Sequence, residues 1–173
     1  MQRGEGPAHP GATVDDGAAG DPDGERESEP RFWGTHAHSL DGKGRVILPA
    51  RFRDPFRITA FLTKLPEGCL GVWTRPEFDR RTAAMLEKGR QGQAERNVAR
   101  VWAAGAFELT PDPQGRLAIP PQLRAYAALE TDVVVNGAIN HVELWDARKW
   151  QEIDAEGSQF LLSGTDAIDD IGF

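Results

Sequence analysis

The chain of 173 residues carries the same segment twice. Residues 39–53 align with residues 110–124 at a constant offset of 71, so Leu40-Asp41-Gly42-Lys43-Gly44-Arg45-Val46-Ile47-Leu48-Pro49 meets Pro111-Asp112-Pro113-Gln114-Gly115-Arg116-Leu117-Ala118-Ile119-Pro120. Gly34 and Gly105 keep that offset. One inserted residue later, Leu70-Gly71-Val72-Trp73 aligns with Val142-Glu143-Leu144-Trp145, and both copies continue into a helix-like segment with an aromatic at the same place, Phe78 and Trp150. A unit of about 45 residues buries too little surface to be stable alone. The two copies are therefore expected to pair about a pseudo-twofold axis and share one core. Strand-rich units with a single short helix predict an α+β fold, a small barrel or sandwich.

Within each copy a strand is expected near residues 33–40 (103–110 in the second), then a tight turn, then a short apolar strand (Val46–Leu48; Leu117–Ile119). Pro49 and Pro120 stand where a short helix can begin. Ile58–Leu62 and Leu70–Trp73 read as further strands, matched by Val133–Val135 and Val142–Trp145. Between the copies, Pro76 to Ala104 reads as helix broken near Gly89–Gly92. Phe78, Thr82, Met85 and Leu86 recur at helical spacing, as do Ala94, Val98, Val101 and Trp102, and both stripes are expected to face the core. The expected organisation is an acidic tail over 1–30, a first module over 31–81, a helical connector over 82–104, a second module over 105–157 and a C-terminal tail over 158–173.

The turn is where the chemistry gathers. Asp112-Pro113-Gln114-Gly115 has Asp, Pro and Gly at the positions a type I turn favours, and the Asp side chain can accept the N–H two residues on. Asp41-Gly42-Lys43-Gly44 is expected to turn in the same way. Turn chemistry thus accounts for Asp41, Gly44, Asp112, Pro113 and Gly115. It does not demand Arg45 or Arg116. Each can pair with the Asp four residues back for little gain, or project outward, where its planar fork suits phosphate oxygens or a guanine edge. Around the first corner Lys43, Arg51, Arg53 and Arg57 add cations, whereas Gln114 and Gln122 replace Lys43 and Arg51 in the second. Unequal charge on similar elements predicts unequal roles, the first binding and the second mainly pairing.

Charge is distributed to match. Residues 1–30 hold two basic and eight acidic groups with few large apolar side chains, the composition of a disordered tail. Residues 31–81 hold ten basic against five acidic, whereas 105–173 hold four against twelve. The basic half makes a polyanion partner worth testing even though the whole chain has a net charge of −7. No run approaches the roughly 20 apolar residues of a membrane span. The first residues hold no apolar signal core, so a cytosolic protein is expected. A single cysteine, Cys69, excludes an internal disulfide and a thiolate zinc cage. His36 and His38, two apart on a strand, and Cys69 and His141, at matching places in the two copies, offer no compelling third metal ligand. Gly42-Lys43-Gly44 lacks the flanking residues of a phosphate-binding loop, and no catalytic motif is present. No cofactor, small-molecule substrate or enzymatic activity is expected.

The first motif, its second Asp-x-x-x-Arg copy and the Glu143-Leu144-Trp145-Asp146 segment together resemble the MraZ family, within the wider AbrB-like (SpoVT-AbrB) swapped-hairpin proteins, from about Phe32 to about Glu156. The resemblance implies two tandem AbrB-like swapped-hairpin modules paired into one pseudo-twofold, β-barrel-like core with short helices. It also implies a homo-oligomeric ring that binds direct repeats in double-stranded DNA upstream of the bacterial division and cell-wall gene cluster. Such a protein is a transcriptional regulator, expected to be an autoregulatory repressor located in the cytoplasm at the nucleoid. Carried onto this chain, the DNA-facing set is Lys43, Arg45, Arg51 and Arg53, with Arg116 as the second motif Arg. The rival reading is an AbrB-type antitoxin or protein-interaction module, which would favour one motif copy and a long partner-binding tail.

Overall fold

The structure is a computed structural model and describes residues 29–163. The acidic tail expected over 1–30 therefore lies almost wholly outside the described residues, as does 164–173. The elements run β1 (Phe32–Ser39), β2 (Arg45–Ile47), two single-turn 3-10 helices (Ala50–Phe52 and Asp54–Phe56), β3 (Ala60–Lys64), β4 (Leu70–Trp73), α1 (Arg75–Gly89) and α2 (Gln93–Ala104). The second copy supplies β5 (Phe107–Leu109), β6 (Arg116–Ala118), α3 (Pro121–Tyr126), β7 (Asp132–Ile139), β8 (Val142–Asp146) and α4 (Ala147–Ser163).

The repeat dictates the topology. The large sheet has the order β1-β7-β8-β4-β3-β5, and exchanging the copies (β1 with β5, β7 with β3, β8 with β4) returns the same order reversed. A pseudo-twofold axis thus passes between β4 and β8, where Gly71 stands opposite Glu143. The same axis passes through the separate β2–β6 ribbon at the pair Val46–Leu117. Each copy lends its first strand to the other: β1 pairs with β7 along its whole length, and β5 pairs with β3. The swapped, pseudo-symmetric α+β architecture is as expected.

Period-two alternation sorts the strand residues to two sides. Ala60, Leu62, Leu70, Val72, Val133, Val135, Val142 and Leu144 face the main core beneath the β2–β6 ribbon, together with Val46, Leu117 and Leu123. Phe32 anchors one end of that core, stacked on Phe56 at 5.3 Å and edge-on to Phe52 at 5.5 Å. Phe61, Trp73, Val134 and Trp145 point the other way, forming a second cluster against which Phe78 of α1 and Trp150 of α4 pack. The central strands β3, β4, β7 and β8 are apolar on both faces because core covers one and helices the other, whereas β1 at the edge is largely exposed.

Four expectations need correction. The strand expected at Ile58–Leu62 begins at Ala60, and Ile58 is 84% exposed. Asp54-Pro55 opens a 3-10 turn that drives Phe56 into the core, and the chain needs the next residues to turn back toward the sheet. In the second copy the strand expected from 103 starts at Phe107, because α2 continues to Ala104. The stripes of α1 and α2 do not face the core: Leu86, Val98 and Val101 are each more than half exposed, and α2 buries no residue. The hairpin is fastened through Phe78, which stacks on Phe61 at 4.2 Å and on Trp102 at 5.4 Å; Thr82 and Met85 are half-buried, and Leu86, Ala94, Val98 and Val101 stay exposed. The helix after Trp145 also runs on through Gly157 to Ser163, six residues into the expected tail.

Candidate nucleic-acid interface

The two corners are built alike. Asp41 Oδ1 accepts the N–H of Lys43 at 2.9 Å and that of Arg45 at 3.0 Å, and Asp112 Oδ1 accepts those of Gln114 and Arg116, both at 3.0 Å. The turns close by Gly44 N–H to Asp41 C=O and Gly115 N–H to Asp112 C=O, each 2.8 Å. Gly44 and Gly115 sit at φ of +71° and +77°, a conformation that glycine adopts without strain. A side chain would also collide there. A Cβ on Gly44 would stand 2.6 Å from Arg124 Cζ, and one on Gly115 2.6 Å from Arg53 Cδ.

That collision shows how the corners are joined. Arg53 of the first copy lies over the glycine of the second corner, its Nε donating to the Leu48 carbonyl at 2.8 Å, and Arg124 of the second copy lies over the glycine of the first. Main-chain bonds cross too, from Leu48 N–H to Gly115 C=O at 2.9 Å and from Ile119 N–H to Gly44 C=O at 3.0 Å. Arg124 was not among the expected site residues. It stands at the 71-residue offset from Arg53, the signal that could have found it.

Arg45 and Arg116 turn back onto their own turns. Arg45 Nε and NH2 each lie 2.7 Å from Asp41 Oδ2, and Arg116 Nε lies 2.6 Å from Asp112 Oδ2. Arg45 NH1 is also 4.0 Å from Asp112 Oδ2, so both corners share one charge cluster. Each guanidinium keeps a little over a quarter of its side chain exposed. Of the expected DNA-facing set, Lys43 and Arg51 are exposed, Arg53 is half-buried, and Arg45 and Arg116 are half-buried and ion-paired. The structure brings Arg45, Arg53 and Arg116 together at the corners, with Lys43 at the tip of the first. It places Arg51 apart, beside Gly34 of β1 and 5.8 Å above the Phe52 ring.

The Asp41 carboxyl is held at about 2, below its ordinary 3.8, chiefly by the Arg45 side-chain hydrogen bond, with partial desolvation opposing. Asp112 is lowered too, first by the backbone N–H of Arg116. A carboxylate whose folded value lies below its unfolded one stabilises the fold fully above the unfolded value, and that contribution is lost as the pH falls through the folded one. For Asp41 the window runs from 3.8 down to about 2. A carboxyl-detected NMR titration is expected to show Asp41 ionised until the pH approaches its lower end. Arg45→Ala is expected to return the midpoint most of the way to 3.8, whereas Arg116→Ala moves Asp112 less, since alanine keeps the backbone donor. Equal displacement at both sites would contradict the ordering of causes.

The residues that raised the metal reading occupy other settings. His36 packs edge-on to Phe52 at 5.3 Å, and His141 stacks on Trp73 at 4.0 Å with Nε2 3.3 Å from Glu143 Oε1. Glu143, though desolvated, stays below its usual range because His141, Trp145 and Asn136 donate to it. Burial pushes the Cys69 thiol up, the opposite of what a thiolate ligand or nucleophile needs. Among the described residues no group of three or more His, Cys, Asp or Glu is placed to hold a metal, and no helix is long and apolar enough to cross a membrane.

Comparison with known proteins agrees with this geometry. The family model described as "MraZ protein, putative antitoxin-like" matches twice, over residues 32–101 and 102–168, one match for each copy of the repeat. A transcriptional regulator MraZ of Arthrobacter sp. (strain FB24) is 42% identical over 137 residues, which cover 79% of this chain and 96% of the relative. One from Kineococcus radiotolerans is 46% identical over 120 residues (69% and 84%), and one from Salinispora arenicola 46% over 125 (72% and 88%). With a doubled family match and relatives of this identity over most of its length, the chain belongs to the MraZ family of transcriptional regulators.

Proposed function

We propose that this regulator binds double-stranded DNA through the paired corners and the β2–β6 ribbon, as a ring of identical subunits on direct repeats, and represses the division and cell-wall gene cluster that includes its own gene. The observation that carries the reading is the corner pair itself. Two Asx-closed turns are cross-clamped by Arg53 and Arg124, so the exposed Lys43 stands on a support with little freedom to lose on binding. A major groove admits a two-stranded ribbon of this kind. Of the expected DNA-facing set, Lys43 and Arg51 supply the exposed charge, and Arg57 beside them adds one more exposed cation. Arg45 and Arg116 hold the corners and offer the guanidinium edges left over from their carboxylates. The paired carboxylates are thereby neutralised, and the acidic motif residues do not repel the phosphates.

The test is fluorescence anisotropy with the protein's own upstream DNA across a salt series. Lys43→Ala and Arg51→Ala are each expected to weaken binding and to flatten the slope of log K against log salt by about 0.9, the change that follows when one phosphate is no longer neutralised. Gln114→Ala, at the matching tip of the second corner, is expected to leave that slope unchanged. A wild-type protein with no affinity for its upstream DNA would overturn the proposal. So would slopes that the two cation variants leave untouched.

A further inference from the structure

Beside the α1–α2 hairpin runs an apolar groove of about 500 Å³, walled by Met85, Val98, Val101 and Trp102 on one side and by Leu65 and Tyr126 on the other. No described residue fills it, and Val98 and Val101 are 59% and 65% exposed. Its charged lining is purely cationic. Lys64 and Arg81 are held on aromatic faces, the Lys64 ammonium 5.0 Å from the Tyr126 ring and the Arg81 guanidinium 4.3 Å from that of Trp73.

The other half of the molecule carries the complement. Trp150, Ile153, Phe160 and Leu161 fall on one side of α4 at helical spacing. Trp150 is tied down against Trp145, but Phe160 and Leu161 are 55% and 61% exposed. The corresponding helix of the first copy, α1, has α2 packed along it; α4 has no such partner among the described residues. From Glu152 to the C-terminus the chain holds six acidic groups and no basic one.

We infer that the distal turns of α4 from one copy dock in the α1–α2 groove of the next, seating Phe160 and Leu161 against Val98 and Val101 and bringing acidic side chains to Lys64 and Arg81. Charge selects this pairing: α4 against α4 would set acid against acid, whereas the groove offers only cations. Within one chain α4 packs on β7 and β8 while Phe160 and Leu161, like Val98 and Val101 of the groove, stay more than half exposed, so a second copy is what can bring tip and groove together. The contact is head-to-tail, each copy giving one groove and one tip, and such a contact repeats until a ring closes. The inference rests on the oligomer of the proposed function and specifies its joint.

Two exposed substitutions test it in the full chain: Val101→Glu spoils the groove and Phe160→Glu spoils the tip. Native mass spectrometry and light scattering are expected to show an assembled wild type and two monomeric variants, each with the circular-dichroism spectrum of the folded wild type. An equimolar mixture of the variants is expected to form heterodimers and nothing larger, because one intact groove and one intact tip remain between them. A mixture that stays monomeric would overturn the inference, since the two surfaces then do not meet. Variants that assemble like wild type would place the joint elsewhere while leaving the oligomer standing. A monomeric wild type would overturn both. A chain ending at Ser163 is expected to assemble; its failure would make residues 164–173 the occupant instead of the α4 tip.

Discussion

A promoter fragment with four direct-repeat boxes is expected to bind the assembled protein about 10²–10⁴-fold more tightly than a fragment with one box at the same salt. The reason lies in how little one subunit can offer. Lys43, Arg51 and Arg57 are its exposed cations around the first corner, while Arg45 and Arg116 already face carboxylates. A few phosphate contacts give an affinity that salt readily erases. Once one subunit of a ring is seated, the next box is met at high effective concentration, so the weak contacts multiply. Moving alternate boxes by about 5 bp, half a helical turn, rotates them to the far side of the duplex and is expected to remove most of the gain. Anisotropy titrations of one-, two- and four-box fragments decide the matter. Equal affinity for all three would mean that each corner pair reads its site alone.

The proposed avidity also accounts for two corners that share one construction and differ in charge. The β2–β6 pairing joins them into one surface, so Gln114 in place of Lys43 reduces the repulsion between neighbouring tips without altering the turn. The expected difference between a binding corner and a pairing corner is thus carried by two halves of one joined surface. Arg53 and Arg124 make the same point, each clamping the glycine of the opposite copy.

Much of this was legible in the chain. The constant offset between the copies foretold the pseudo-twofold axis, because identical local signals at fixed spacing must fold alike, and Asp112-Pro113-Gln114-Gly115 declared its turn by residue chemistry alone. The exchange of β1 and β5 between copies was not readable from local signals, since Phe32–Ser39 has the same pattern whichever strand it pairs with; only the family resemblance carried it. Arg45 had two available partners, its own Asp41 or a phosphate, and spacing cannot choose between them. The structure shows the first taken, at 2.7 Å. The stripes of α1 and α2 failed for a related reason. Periodicity reveals that Val98 and Val101 share a face, but not whether the chain's own core or another molecule covers it.

Trp73→Ala is expected to cost about 3–5 kcal/mol, a large part of the stability of a domain this size. Trp73 is fully buried, and its indole lies flat over Gly71, where a Cβ would come within 2.6 Å of the ring. One face of the indole stacks on His141 at 4.0 Å, and Nε1 donates to the buried Thr63 hydroxyl at 2.8 Å. Truncation therefore leaves a cavity that the paired strands β4 and β8 cannot collapse to fill, and strands His141 above it. Thr63→Val removes only the acceptor and is expected to cost about 1–3 kcal/mol, the penalty for an unsatisfied buried donor. With Trp73→Phe already in place there is no donor to strand, so adding Thr63→Val is expected to cost much less. Urea midpoints at constant m-value compare the four variants with wild type. The functional consequence follows from Arg81, which lies over the same indole and lines the groove. Loss of the ring is expected to loosen α1–α2 and weaken assembly, reducing affinity for four boxes far more than affinity for one. A Trp73→Ala protein that keeps wild-type midpoint and multi-box affinity would show that the outer cluster supports neither the sheet nor the joint.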